Sequence, residues 1–344
     1  MIAVRLVRAT CNLPRRSLLL AAPFVAASGC TLASLPPSVA PPAVTDGHFT
    51  LRDGVRLPYR RWLPPLPESA PSPWAVALAL HGFNDSRDAW EIPAPWFLEA
   101  GIGLYAPDQR GFGAAPGRGR WPGTAKLVAD AADMAASVAR AHPASRLYLI
   151  GESMGGAVLM CLAASDAAPK VSGYVLSAPA VWGGAAMNPL YRTTLRVLAS
   201  LAPGIVLTGR VAGVIASDNR AALIRLSTDP LTLHGARIDT LEGLVDLMGT
   251  ALEASPRLRG PALVLYGGRD QLVPGPAMAA AWRGIAANGD GGVRLAYYPP
   301  QYHLLLRDTE RARPLGDIIS WIYNQAADLP SEADRQARLF LAAT

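Results

Sequence analysis

Cysteine is scarce in this 344-residue chain: Cys11, Cys30 and Cys161 are too few for a disulfide framework, and two of them fall within the first thirty positions. Charged residues make up only 17%, and the net charge of +6 shrinks once it is located. Arg5, Arg8, Arg15 and Arg16 precede residue 30 with no acid among them, which leaves the remainder close to neutral and without the basic footprint of a nucleic-acid binder. Internal repeats are lacking, so a solenoid is excluded. A clean membrane span is lacking too. The uncharged stretch from Ser17 to Thr45 is interrupted by Ser28, Gly29, Pro36, Pro37, Pro41 and Pro42, whereas a spanning helix needs about 20 predominantly apolar residues. What the chain has in quantity is apolar surface, 51% hydrophobic residues, together with 32 Gly and 31 Pro for turns. Disorder, collagen and coiled coil are thereby excluded in favour of one large or two modest globular domains.

The first residues read as an address. Four arginines within residues 1 to 16 precede the short apolar run SLLLAAPFVAA, Ser17 to Ala27, the order of a cleaved signal peptide over 1–29, with an uncleaved N-terminal anchor as the alternative. Ala27-Ser28-Gly29-Cys30 resembles the lipobox of bacterial lipoproteins, which implies acylation of Cys30 and a lipid anchor in the cell envelope. Ala27 stands where that pattern usually has Leu, and a cut after Val25-Ala26-Ala27 would instead release a periplasmic protein. Pro14-Arg15-Arg16-Ser17-Leu18-Leu19 also resembles a twin-arginine export signal. Residues 30–46 are Pro-rich and read as a semi-extended tether, leaving 47–344 as the functional domain.

From Gly47 onward, short apolar runs alternate with longer amphipathic stretches, the pattern of a sheet with crossover helices. Phe49-Leu51 and Arg56-Trp62 form an expected hairpin. Trp74-Leu80, Gly103-Ala106, Leu147-Ile150, Gly173-Leu176, Ala262-Tyr266 and Val293-Tyr297 are continuous enough in hydrophobicity to be strands covered on both faces. The strand rhythm stops over about 183–258, where Leu190-Ala202 and Thr240-Ala254 are amphipathic, so a helical insertion is expected there. Cys161, alone in an apolar run, reads as a buried structural thiol.

Chemistry concentrates after Leu147-Ile150, where Gly151-Glu152-Ser153-Met154-Gly155 leads into an apolar helical stretch. This is G-x-S-x-G in a strand–turn–helix setting: the serine occupies a sharp turn with Oγ exposed, the glycines avoid crowding it, and helix N–H groups face developing negative charge. An acid and then a base should follow. Asp270 comes just after Ala262-Tyr266, and His303 just after Val293-Tyr297. The other histidines, His48, His81, His142 and His234, all precede Asp270. His81-Gly82-Phe83 follows the Trp74-Leu80 strand in the place of an oxyanion loop, giving the Phe83 and Met154 N–H groups as donors and His81 a structural role.

HGFND, DQRGFG, GESMGG, GGRDQLVP and YHLLLRD together resemble the α/β-hydrolase fold over about residues 49–325, in particular its monoacylglycerol lipase and lysophospholipase branch, related to serine aminopeptidases. Asp229-Pro230-Leu231 is similar to that branch's cap, while Glu152 departs from the His that commonly precedes the serine. The resemblance implies a mostly parallel sheet with crossover helices and a helical cap. It also implies a Ser153–His303–Asp270 triad, acyl transfer without metal or organic cofactor, and a small acyl-ester lipid substrate. Two readings stand beside it. A serine aminopeptidase would hold a free amine with Asp218, Asp229, Asp239, Glu242, Asp246 or Glu253, and a non-catalytic envelope lipoprotein would use the fold only for binding.

Overall fold

The computed structural model describes residues 41–66, 72–208, 214–287 and 292–344; residues 1–29, Cys30 and most of the tether lie outside the described residues. Its centre is a nine-stranded sheet in the order β1-β2-β3-β5-β4-β6-β7-β10-β11. The strands are β1 (Ala43–Thr45), β2 (His48–Thr50), β3 (Arg56–Trp62), β4 (Ala75–Leu80), β5 (Ile102–Pro107), β6 (Arg146–Glu152), β7 (Gly173–Ser177), β10 (Ala262–Gly267) and β11 (Val293–Tyr298). A separate antiparallel ribbon joins β8 (Val206–Thr208) to β9 (Gly235–Arg237). The first three strands pair antiparallel with one another and β3 with β5, and every pairing from β5 through β4 to β11 is parallel. The expected hairpin is β2–β3. The folded chain starts earlier than Gly47, because Ala43–Thr45 at the end of the tether adds an edge strand to it.

The helices are α1 (Ala94–Glu99), α2 (Thr124–Ala141), α3 (Met154–Ala163), α4 (Pro189–Leu201), α5 (Arg220–Thr228), α6 (Ile238–Ala254), α7 (Gly275–Ala287), α8 (Ala312–Tyr323) and α9 (Ala333–Ala343). They cover both faces, and strand alternation decides which residues meet which layer. On β4, Val76, Leu78 and Leu80 enter a core with α2, α3, α6 and α7, whereas Ala75, Ala77 and Ala79 enter one with Trp90, Phe97, Ile318 and Trp321. Small alanines on that second side leave room for the large indoles. Each fully buried Leu, Val or Phe contributes roughly 1.5–3 kcal/mol relative to exposure. Cys161 is buried in the first core, and burial pushes its thiol up to about 12, as suits an inert structural cysteine.

The insertion differs from expectation in its second half. Of α4, only Leu195 packs against the main core, whereas α6 belongs to it through Val245, Leu247, Met248 and Ala251. Helical periodicity does not separate a cap helix from a crossover helix; the partner of the apolar face does. Gly183, where the chain leaves the sheet, fixes this docking. A Cβ there would stand 2.2 Å from the Gly249 nitrogen and 2.5 Å from the Val245 carbonyl of α6. Neither backbone atom can yield cheaply, so Gly183→Ala should lower stability by about 1–3 kcal/mol, the usual cost of overpacking. A denaturant midpoint equal to wild type would show that α6 is not held at this point.

Candidate active site

Parallel strands deliver their following loops to one edge of the sheet, and here four of them converge. β4 runs into His81-Gly82-Phe83, β6 into Ser153, β10 into the Asp270 loop and β11 into the His303 loop. In-register pairs such as Leu80 with Gly151 and Gly267 with Tyr298 keep these ends level.

Ser153 links β6 to α3 at φ 54° and ψ −113°, a sparsely populated conformation for a residue with a side chain, costing about 1–3 kcal/mol. Its surroundings enforce it: the Ser153 N–H donates to the Ser177 carbonyl at 2.9 Å, and the Ser153 carbonyl accepts from Ala157 and Ala180, each at 3.0 Å. The flanking glycines are required by close approach. A Cβ on Gly151 would lie 2.5 Å from the Gly155 carbonyl, and one on Gly155 would lie 2.4 Å from the Leu80 carbonyl oxygen. Met154 opens α3, so its N–H belongs to the first turn, whose donors have no partner inside the helix. The His81-Gly82-Phe83 loop packs directly on the turn, with the Cβ position of Gly82 3.4 Å from Ser153 Cβ. Phe83, next in that loop, meets Phe112 edge to face at 5.6 Å.

Asp270 and His303 come together as the strand order requires, with His303 Nδ1 and Asp270 Oδ2 2.7 Å apart and both side chains almost wholly buried. The Leu272 and Val273 N–H groups donate to Asp270 Oδ1 at 2.8 and 2.9 Å, which fixes the carboxylate plane. Since a carboxylate accepts, Nδ1 is the donor and Nε2 is left to take a proton. Burial pulls the His303 pKa down, but the charge and hydrogen bond of Asp270, helped by Glu152 and opposed by Arg307, bring it above the ordinary imidazole value.

His81 takes the structural role expected of it. Its Nδ1 is 2.7 Å from the Gly82 carbonyl, its Nε2 accepts the Gln109 N–H at 3.0 Å, and burial lowers its pKa so that it stays neutral. Two residues without an assigned role in the sequence reading also enter the site. Arg307 Nη2 donates to Glu152 Oε2 at 2.6 Å and to Asp85 Oδ2 at 2.8 Å, all three side chains being buried. The signal for them was present in HGFND and YHLLLRD, a charge set inside apolar loop sequence. Among the described residues, no group of three or more His, Cys, Asp or Glu side chains is arranged to hold a metal ion.

A family model described as serine aminopeptidase, S33, matches residues 71–310, spanning every one of these loops. The chain belongs to this Hydrolase_4 family. Its fold is the α/β-hydrolase fold and its class is serine hydrolase. Among curated relatives, the Hydrolase_4 chain is 28% identical to a monoacylglycerol lipase of Mycolicibacterium smegmatis over 280 residues, 81% of this chain and 96% of the relative. It is 26% identical to human monoglyceride lipase over 267 residues, 76% of this chain and 84% of the relative. Among solved structures, a Saccharomyces cerevisiae monoglyceride lipase superposes with a TM-score of 0.67 at 18% identity, over 86% of this chain and 99% of the other. A Paleococcus ferrophilus monoacylglycerol lipase gives 0.63 at 21%, over 78% and 99%.

The Asp270 contact yields a direct expectation. In Asp270→Asn, the imidazole resonances of His303 should titrate at lower pH than in the wild type, because the main upward influence is gone. The sign for stability follows. A folded pKa raised above the unfolded value of about 6.5 makes the pair's contribution fully present below that value and lost as pH rises through the folded one. Wild type and Asp270→Asn should therefore differ more in unfolding free energy at mildly acidic than at alkaline pH. Identical titration of His303 in the two proteins would contradict this arrangement.

Proposed function

We propose that the protein is a carboxylic-ester hydrolase of single-chain acyl lipids, monoacylglycerols first, acting through Ser153, His303 and Asp270. The observation that carries this reading is the 2.7 Å contact of His303 with Asp270 on loops that flank the strained Ser153 turn. In the mechanism, His303 Nε2 accepts the Ser153 Oγ proton as the serine attacks the ester carbonyl. The Phe83 and Met154 N–H groups stabilise the oxyanion. The protonated imidazole then gives its proton to the leaving alcohol, and water, activated by the same imidazole, releases the fatty acid.

The cap supports a lipid substrate. Of the apolar residues Leu190, Leu195, Val197, Leu198, Leu201, Val206 and Leu207, only Leu195 packs against the core, and Leu190 and Leu201 are 70% and 78% exposed. An apolar face of this kind suits acyl chains or their aggregates better than a soluble peptide. Five of the six carboxylates that an aminopeptidase could turn to a free amine, all but Glu253, have other partners. Asp229 pairs with Arg225 at 3.6 Å, Asp218 accepts the Thr309 N–H at 2.9 Å, and Asp239 accepts from Arg237 at 2.9 Å. Glu242 and Asp246 lie 3.7 and 3.9 Å from Arg196.

A lysophospholipid is the second reading, favoured by a groove of about 480 Å³ lined by Arg118, Arg120, Val206, Leu233, His234 and Arg237. Leu233 donates its N–H to the Asn84 carbonyl beside Phe83 at 2.8 Å, so the groove adjoins the oxyanion loop. Ser153→Ala should abolish hydrolysis of all esters and labelling by a fluorophosphonate while leaving the thermal transition in place. Wild-type kcat/KM should be higher for monoacylglycerol than for the matching lysophospholipid or aminoacyl amide, and a reversed order would replace the substrate assignment. For short acyl chains, each added methylene should gain at most about 0.8 kcal/mol of transition-state binding.

The export reading belongs to the same proposal: removal of residues 1–29, acylation of Cys30, and a Pro-rich tether that keeps the hydrolase beside its lipid substrates. A single acyl chain binds membranes marginally and two or three hold firmly, at about 0.8 kcal/mol per buried CH₂. Cys30→Ser should block processing or shift the protein out of the membrane fraction. A mature N-terminus at Ser28, or an intact Met1, would overturn it.

A further inference from the structure

We infer that Arg307, with Asp85 and Glu152, is a positioning cluster that locks the oxyanion loop, the nucleophile turn and the His303 loop into one arrangement. The inference rests on the assignment of Ser153 and His303 made above and adds residues that assignment does not use.

The connectivity carries it. Asp85 lies two residues after Phe83, Glu152 directly precedes Ser153, and Arg307 lies four residues after His303. One guanidinium nitrogen, Arg307 Nη2, bonds both carboxylates, at 2.8 Å to Asp85 and 2.6 Å to Glu152, so one atom spans all three loops. The exposed fraction of each side chain is 7% or less. Arg307 is itself anchored: its N–H donates to the Leu304 carbonyl at 2.8 Å, and its carbonyl accepts from Asn219 Nδ2 at 2.8 Å. Asp85 is likewise tied back, its N–H reaching the Gly82 carbonyl at 3.3 Å, the residue that packs on Ser153.

Stability gives no reason for such a cluster. A buried ion pair commonly gains little over well-packed neutral residues, and here two carboxylates share one cation. Among the described residues, no protein group bonds the buried Glu152 Oε1 or Arg307 Nε. Polar groups kept buried at this cost, at the junction of three loops, are best accounted for by geometry and field. Acidic and basic groups facing the imidazole are Asp270 from the loop after β10, Glu152 from β6 and Arg307 from its own loop, with Asp85 behind Arg307. Burial pushes the Glu152 carboxyl above the usual range, and the Arg307 guanidinium at 2.6 Å is what opposes that and favours its charged form. His81 is held neutral by burial, and Asp308, which accepts the Tyr302 N–H at 2.8 Å on the His303 loop, is pushed up by burial as well. Glu152 acts on His303 through space: its charge favours the imidazolium that forms as Ser153 attacks.

Three variants separate positioning from mere support. Glu152→Gln keeps shape and one acceptor for Arg307 but removes the charge. The acid limb of kcat/KM against pH should move to lower pH, because a negative neighbour of His303 is gone. Arg307→Lys keeps the charge without the fork, so kcat should fall about 10- to 100-fold, the scale of a small misplacement at a reacting centre, with KM little changed. The neutral triple variant Asp85→Asn, Glu152→Gln, Arg307→Met removes the charge of this cluster and should fold with a melting temperature near wild type, yet show the same loss in kcat. A folded triple variant with wild-type kcat, or an unmoved pH limb in Glu152→Gln, would overturn the inference while leaving the triad intact. Turnover persisting in Ser153→Ala would instead overturn the functional assignment beneath it.

Discussion

A serine held at φ 54° and ψ −113° at the end of a buried parallel strand is the constraint around which the rest is organised. The conformation is unfavourable for any residue with a side chain, so it persists only because its neighbours leave no alternative. Gly151 and Gly155 let β6 and α3 meet at separations that a Cβ would forbid, and Ser177, Ala157 and Ala180 hold the Ser153 backbone from three directions. In the proposed mechanism the strain serves chemistry. It sets Oγ at the sheet edge and points the first N–H groups of α3 toward the place where negative charge develops.

The sheet supplies the rigidity that this turn needs. With β4 buried on both faces, large indoles packed over its alanine side and its leucine and valine side against α2 and α3, the strand ends have little freedom to move. Loops that follow β4, β6, β10 and β11 therefore start from fixed points, and their side chains meet without long-range adjustment. What those starting points do not fix is the height and tilt of the loops above the edge. Arg307 supplies that fixation, because a guanidinium shared between two carboxylates is satisfied in few geometries.

The cap follows a different logic. Its α4 and β8–β9 segments turn apolar side chains outward, and Asp218, Asp229, Asp239, Glu242 and Asp246 are spent on arginines or on a loop N–H group. A surface that is apolar where it faces out and electrostatically self-contained elsewhere matches long acyl chains. The basic groove beside the oxyanion loop is the exception, a place where an anionic head group would find compensation.

Much of this was legible in the residues themselves. Continuous apolar runs located the parallel strands because a strand covered on both faces cannot alternate. The meeting of the Asp270 and His303 loops beside the Ser153 turn was readable because parallel strands place successive loops on one edge whatever lies between them. The division of the insertion was not legible: Thr240–Ala254 has the same amphipathic period whether it caps the site or crosses over the sheet, and only its contact with Gly183 and α3 decides. Nor could Ala43–Thr45 be seen as a strand, since three residues carry no periodicity and owe their form to β2. The charges of Asp85, Glu152 and Arg307 were visible, but not their convergence. Local sequence determined which residues could turn, alternate or react, since those properties belong to a few consecutive side chains. The tertiary structure alone decided which distant charges share one hydrogen-bond donor, because that depends on the heights of three loops separated by as many as 222 positions.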